Sequence, residues 1–230
     1  MAERRRSEVA WETRLGDARG RRVVFLSHCL LNENTRYLGG AARPGCVREI
    51  VDACAEAGLG MVQLPCPEEQ AWGGVHKRRL LRLYGSARWL PRPLRRAALP
   101  VLLAYTRWVY KRLARDAVRQ IADYRRTGHE VVALVGVDGS PSCGVRRSLD
   151  IRVALERLAE ADRESLTTDR VNAILRATSV PGEGMFTEQV RRRLRARRIG
   201  VRFVAHDLQR ELDGEPSSAA TALRDITGRR

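Results

Sequence analysis

Lysine is almost missing from this chain: of its 43 basic side chains only Lys77 and Lys111 are not arginine. No C-x-x-C pair occurs among the five cysteines, so the compact signatures of zinc and ferredoxin sites are absent. No apolar run approaches the ~20 residues that a membrane span needs. The longest, Ala97 to Tyr105, stops at Thr106-Arg107. The stretch Met1 to Arg22 is charged and lacks an apolar core, so no signal peptide is expected. A cytoplasmic setting follows as an expectation, in which cysteines serve as thiols, metal ligands or nucleophiles rather than as disulfides.

What is present is an ordinary globular composition, 43% apolar and 30% charged, with an extraordinary charge balance of +16. Such a balance fits an anionic partner, nucleic acid first and an acidic membrane surface second. A solvated, arginine-rich surface with no partner is the plain alternative.

Four short apolar runs rich in β-branched residues read as strands covered on both faces: Arg22 to Ser27, Gly60 to Pro65, Glu130 to Gly136 and Gly200 to Ala205. Helical patterns lie between them. In Pro44 to Ala57 the residues Val47, Ile50, Val51 and Cys54 share one face, and Gly58 supplies a stop. Leu149 to Ala161 and Met185 to Arg197 repeat the pattern. Strands alternating with helices predict an α/β fold, a Rossmann-like three-layer parallel sheet with right-handed crossovers.

One connection is too long for that scheme. An insertion over 75–128 reads as helices, Val75 to Leu90 and Leu94 to Tyr124, broken by Pro91, Pro93 and Pro100. Residues 75–126 hold 15 Lys or Arg against two Asp, which concentrates most of the chain's charge in one segment. The expected organisation is an N-terminal extension over 1–21, a core domain over 22–210 carrying this basic helical insertion, and a loosely docked tail over 211–230.

Three cysteines occupy equivalent places. Cys29 follows the first strand, Cys66 the second, and Cys143 lies just beyond the third. Ligands of open parallel sheets bind beyond the carboxyl ends of the strands, so these thiols are expected to meet there. They can be ligands for a soft metal, or each can be a small buried hydrophobe. Cys54, on the apolar helix face, and Cys46, at the helix start, read as structural.

The residues around these thiols carry a resemblance. Ser27-His-Cys-Leu-Leu-Asn-Glu-Asn-Thr-Arg-Tyr37 with Gly39-Gly40, then Pro65-Cys-Pro-Glu68, then Gly139-Ser-Pro-Ser-Cys-Gly144 resemble the motifs of the 2-thiouracil desulfurase family, in the same order. Gly182-Glu-Gly-Met-Phe-Thr-Glu188 is a further shared element. The likeness covers roughly 22–74 and 130–196 and leaves the basic insertion outside. It implies a [4Fe–4S] cluster on Cys29, Cys66 and Cys143, with a fourth iron free to take the sulfur of a thiolated uracil, as free base, nucleoside or tRNA nucleotide.

On that reading Glu68 is the candidate general base for water. Ser142, with Ser140 and more weakly Ser27, is placed to donate hydrogen bonds to cluster or substrate. Gly182 and Gly184 can bring backbone N–H groups up to a substrate or simply form a helix-start turn, and Tyr37 and Trp72 can stack on a base or fill the core. His28 reads as a packing residue. The rival readings are a basic RNA-binding protein with a structural or redox-sensing metal site, and a zinc site recruiting His28 or His76.

Overall fold

The computed structural model describes residues 15–85, 91–161 and 166–228. Its elements, in chain order, are β1 (Arg22–Leu26), α1 (Arg48–Glu56), β2 (Gly60–Gln63), α2 (Pro67–Trp72), α3 (Arg92–Arg126) and β3 (Glu130–Asp138). There follow β4 (Arg147–Leu149), α4 (Ile151–Glu160), α5 (Thr168–Ala177), β5 (Ser179–Pro181), α6 (Met185–Ala196), β6 (Phe203–Asp207) and α7 (Ser218–Thr227). Short helical turns at His28–Leu31, Glu33–Thr35, Arg78–Leu80, Leu81–Gly85 and Leu208–Leu212 complete the set.

Strands β2, β1, β3 and β6 pair in that order, all parallel, with Leu26 beside both Gln63 and Val135. Alternate residues of β1 serve opposite faces, as the pleat requires. Val24 and Leu26 pack with Ile50 and Cys54 of α1 and with Ala220 and Leu223 of α7. Val23 and Phe25 pack with Tyr110, Val118 and Ile121 of α3 and with Phe186 and Val190 of α6. Helices therefore cover both faces, and β3 is buried at every residue from Val131 to Asp138. The three-layer α/β architecture is the one the alternating pattern predicts.

Strand order reverses at β1, whose neighbours β2 and β3 both follow it in sequence. The crevice beyond the carboxyl ends of β1 and β3 is the point where such sheets bind ligands. Among the described residues, no helix is long and apolar enough to cross a membrane.

Four expectations are corrected. The predicted breaks at Pro91, Pro93 and Pro100 do not occur: α3 runs unbroken for 35 residues, roughly 50 Å. Pro91 caps it and Pro93 lies in its first turn, where backbone N–H groups have no intrahelical acceptor to lose. Pro100 removes one interior bond, on the exposed side, between buried Leu99 and Leu103. The second half of this supposed insertion is the core helix that returns the chain from β2 to β3. Of the segment Val75 to Leu90, the described part forms only Arg78–Leu80 and a wider turn over Leu81–Gly85; 86–90 lie outside the described residues.

The tail is also not loose, because α7 buries Ala219, Ala220 and Leu223 in the core. Finally, the pattern missed α5 and the antiparallel pair β4–β5, where Ser148 faces Val180. These strands are three residues each, too short to declare a period. Of the extension over 1–21, residues 1–14 lie outside the described residues.

Candidate active site

Cys29, Cys66 and Cys143 line one cavity of about 730 Å³ at the carboxyl edge of the sheet. Each is delivered by a strand end. Ser27 leaves β1 with its N–H on the Val135 carbonyl at 3.0 Å, and the turn His28–Leu31 then presents Cys29. Cys66 caps the N-terminus of α2, its sulfur accepting the Glu69 N–H at 3.4 Å, while Pro67 pre-sets the first helical residue.

Cys143 sits in a loop that folds back against β3. The Val137 N–H donates to the Cys143 carbonyl at 2.9 Å, and the Cys143 N–H donates to Ser140 Oγ at 3.1 Å. The approach is so close that a Cβ on Gly136 would lie 2.3 Å from that carbonyl oxygen. Buried Asp138 fixes the far side of the loop, accepting the N–H groups of Val145 and Arg146, each at 2.9 Å.

The first turn of α6 braces the same loop. The N–H groups of Met185, Phe186 and Gly184 donate to the carbonyls of Pro141, Ser142 and Gly144, each at 3.0 Å. The Gly182 N–H donates to Arg146 at 2.9 Å. Gly182 and Gly184 therefore do not offer their N–H groups to a substrate. They hold the cysteine loop, and Gly184 is required because a Cβ there would meet Ser142 at 2.4 Å.

Glu68 joins the α2 cysteine to the β3 loop. Its Oε1 accepts Ser142 Oγ at 2.8 Å and Ser140 Oγ at 3.1 Å, and the two hydroxyls are 2.9 Å apart. Its Oε2 faces Lys77 Nζ at 3.7 Å. Lys77 is buried, and its ammonium also donates to the Thr35 carbonyl at 2.7 Å. Glu68, Ser140, Ser142 and Lys77 all line the cavity with the thiols.

Arg36 sits beneath Cys29, itself buried and held by two buried carboxylates. Its NH1 donates to Glu211 Oε2 at 2.7 Å and lies 3.1 Å from Glu33 Oε2. Glu211 in turn meets His206 Nε2 at 2.9 Å, and His206 Nδ1 meets Ser217 Oγ at 3.1 Å.

The three thiols share one electrostatic environment. Burial pushes all of them up, Cys66 to about 12, and Cys143 is raised further by Cys29 and Cys66 as well as by Glu68. Arg36 opposes the shift at Cys29, and a hydrogen bond with Ser27 opposes it at Cys143. Sulfur in a dry site beside buried cations is costly to ionise alone and well placed to be ionised by a bound metal. Among the described residues, no three or more His, Cys, Asp or Glu converge closely enough to hold a single metal ion.

The other expected residues divide. Trp72 is buried, with its indole N–H on Thr106 Oγ1 at 3.1 Å, and ties α2 to α3. Tyr37 donates to Asn172 Oδ1 at 2.8 Å and anchors α5. His28 Nδ1 is 2.9 Å from Gln63 Nε2, and both His28 and His76 line the cavity. Cys54 is fully buried in the core and Cys46 stands apart from the cavity, as expected of structural cysteines.

Tyr110, one of the aromatics among the basic charges that the sequence offers either for stacking on unpaired bases or for packing this segment onto the domain, does the packing. It is fully buried on α3, and its hydroxyl lies beside Ser142, within the fields of Glu68, Cys143 and Cys66. That hydroxyl finds no hydrogen-bond partner of ordinary geometry among the described residues. Lys77 and Arg36 were missed: neither a cation within a basic run, as Lys77 is, nor an isolated arginine, as Arg36 is, shows from sequence that it is buried.

Comparison with known proteins adds one relative. The chain is 22% identical over 163 residues to an uncharacterized protein of the archaeon Methanocaldococcus jannaschii, covering 71% of this chain and 88% of that protein. No family model matches the chain, and no solved structure matches it.

Proposed function

We propose that the chain is an iron–sulfur-dependent desulfurase that replaces the thiocarbonyl sulfur of a thiolated pyrimidine with the oxygen of water. The observation that carries this reading is the single cavity in which three strand-end thiols meet a serine-held carboxylate. Three thiols are a soft donor set of the kind iron–sulfur centres take, and a multi-iron group spans ligands that do not close on one point. When bound, such a cluster supplies a Lewis-acidic iron with an affinity for sulfur.

The chain's own groups then have distinct tasks. Cys29, Cys66 and Cys143 hold the cluster. Ser140 and Ser142 aim Glu68 by occupying Oε1, which leaves Oε2 to accept a proton from water as its oxygen bonds to the thiocarbonyl carbon. Lys77 Nζ, 3.7 Å from Oε2, places a positive charge beside that oxygen and helps to hold it in position. The net reaction consumes one water and releases sulfide.

The test is anaerobic purification with iron and sulfide analysis, followed by turnover of 2-thiouracil and 2-thiouridine. A brown protein that releases sulfide supports the reading. A colourless protein with stoichiometric zinc overturns it.

A second reading, binding of RNA by the basic helix, has its own observation. Exposed Tyr105 and Trp108 on α3 stack with ring centroids 6.1 Å apart, and the Arg79 guanidinium lies 5.4 Å over Tyr105. Arg107, Lys111, Arg112 and Arg115 are exposed on the same stretch of the helix. Cations beside an exposed aromatic platform suit unpaired bases on a phosphate backbone.

A further inference from the structure

The cavity at the thiols is larger than the chemistry at its polar end needs. A volume of about 730 Å³ falls among sites that enclose a whole drug-sized molecule, and a single pyrimidine ring fills only part of it. Leu80, Leu155, Leu158, Val171 and Leu175 line the same cavity as the cysteines. Leu80 and Leu155 belong to a small apolar cluster with Leu99 and Leu103 of α3, which adjoins one face of the sheet through Leu80.

The helices that form this wall are poorly packed for their sequence. α4 buries only Ala154 and Leu155 among its residues, and α5 buries none. α5 is held at its edges by polar contacts. Asn172 bonds Tyr37 at 2.8 Å and the Gly39 carbonyl at 3.3 Å, and Arg176 bonds Asp213 at 2.8 Å. Its apolar residues Val171 and Leu175, half-buried, look into the cavity instead of into a core. Helices that keep leucines against a space, and are fixed there by hydrogen bonds, leave apolar surface that an apolar occupant would cover. The space is continuous with the thiols, so the occupant is part of whatever binds at them. Half-buried Arg95 and exposed Glu160 also line the cavity and give it a charged margin.

We infer that this is a chamber for an apolar substituent, and that the substrate is a pyrimidine carrying a bulky aliphatic or aromatic group rather than the bare base. The inference rests on the proposed desulfurase reading for the ring at the polar end. The leucine chamber supplies affinity for the substituent, and Glu68 with the serines addresses the ring.

The experiment measures binding of uracil and of its three hexyl isomers, alkylated at ring nitrogen 1, carbon 5 or carbon 6, to the full-length protein by calorimetry. These compounds lack sulfur, so binding is read without turnover. A buried methylene strengthens binding about four-fold, so even a partly buried hexyl chain should give at least ~30-fold tighter binding for one isomer. Leu158→Trp and Leu175→Trp, at half-buried positions, should each cut that gain to less than about three-fold by filling the chamber. Equal affinity of uracil and all three isomers overturns the inference, as does a gain that survives both substitutions. A protein that shows the chain-length gain but releases no sulfide from any thiolated pyrimidine keeps the chamber and loses the desulfurase reading. Sulfide release without the gain does the reverse.

Discussion

Ser142 Oγ donates to Glu68 Oε1 at 2.8 Å, across 74 residues of sequence. This bond joins the helix that begins at Cys66 to the loop that carries Cys143, so the carboxylate is fixed relative to two thiols at once. Glu68→Gln keeps the shape and an oxygen to accept the serine bond, but cannot take a proton. The expected outcome is full iron and sulfide content with turnover lowered by ~10²-fold or more. Activity within a few-fold of wild type would move the role to another carboxylate, Glu69 first.

Cys29→Ser, Cys66→Ser and Cys143→Ser should each abolish the visible absorption of the reconstituted protein, because each thiol arrives on a separate strand end and none has a neighbour to replace it. Cys54→Ala should retain the absorption and lose ~1 kcal/mol or more in urea unfolding, the cost of an unfilled atom in a fully buried site. An intact spectrum in Cys66→Ser, with loss in Cys54→Ala, would overturn the placement of the site.

These expectations were legible because thiol position follows from strand position. Once Arg22 to Ser27, Gly60 to Pro65 and Glu130 to Gly136 read as parallel strands, their carboxyl ends converge whatever the intervening chain does. The serine-held carboxylate was half legible: Glu68 and Ser142 stood out singly, but a bond across 74 residues depends on the loop brace from α6, which leaves no local trace. Tyr110 was legible only as a stacking or packing aromatic, and its place beside the site was not, since a buried tyrosine on an apolar helix face carries the same pattern as any core aromatic. Proline misled the reading of α3 because its cost depends on which turn it occupies, and Pro93 falls in the first turn, where that cost nearly vanishes.

The buried network beneath Cys29 sets an acid limit on stability. Burial alone would raise Glu211, but the His206 hydrogen bond and Arg36 outweigh it and hold the carboxyl at about 2. A carboxyl depressed by folding stabilises above its unfolded value and loses that stability as pH falls toward its folded one. Urea midpoints should therefore fall between about pH 4.5 and pH 2 as Glu211 is titrated. Glu211→Gln leaves Glu33 as the one carboxylate on Arg36 NH1 and should cost ~1.5–3 kcal/mol at neutral pH, the scale for losing a charge-assisted hydrogen bond. A loss below ~1 kcal/mol would show that the network is incidental.

The basic helix makes a separable prediction. Binding of unstructured RNA should quench Trp108 and weaken with salt by ~0.7 log unit per phosphate contact per decade. Trp108→Ala should lower affinity ~10-fold, the order of one lost base stack, with little change in that slope. No binding at ~50 mM salt, or tighter binding to anionic lipid vesicles than to RNA, would assign this face elsewhere.

Tyr110 separates an idle hydroxyl from a working one. Burial first, then Glu68, Cys143 and Cys66, raise its ionisation well above the ordinary tyrosine value, so near neutrality it stays protonated and keeps a proton to donate. A fully buried hydroxyl with no partner of ordinary geometry costs ~1–3 kcal/mol. Tyr110→Phe removes that cost and keeps the ring that packs α3 against the sheet, so thermal stability should hold or rise by a few degrees. The hydroxyl lies beside Ser142, the residue that aims Glu68, so a small approach in the substrate complex would let it donate to Ser142 and steady the carboxylate during proton transfer. Tyr110→Phe is therefore expected to keep its iron and its KM while kcat falls ~10-fold. A purely structural tyrosine cannot lower kcat while raising Tm. Unchanged kcat with a raised Tm would make the hydroxyl a cost of folding with no part in the site.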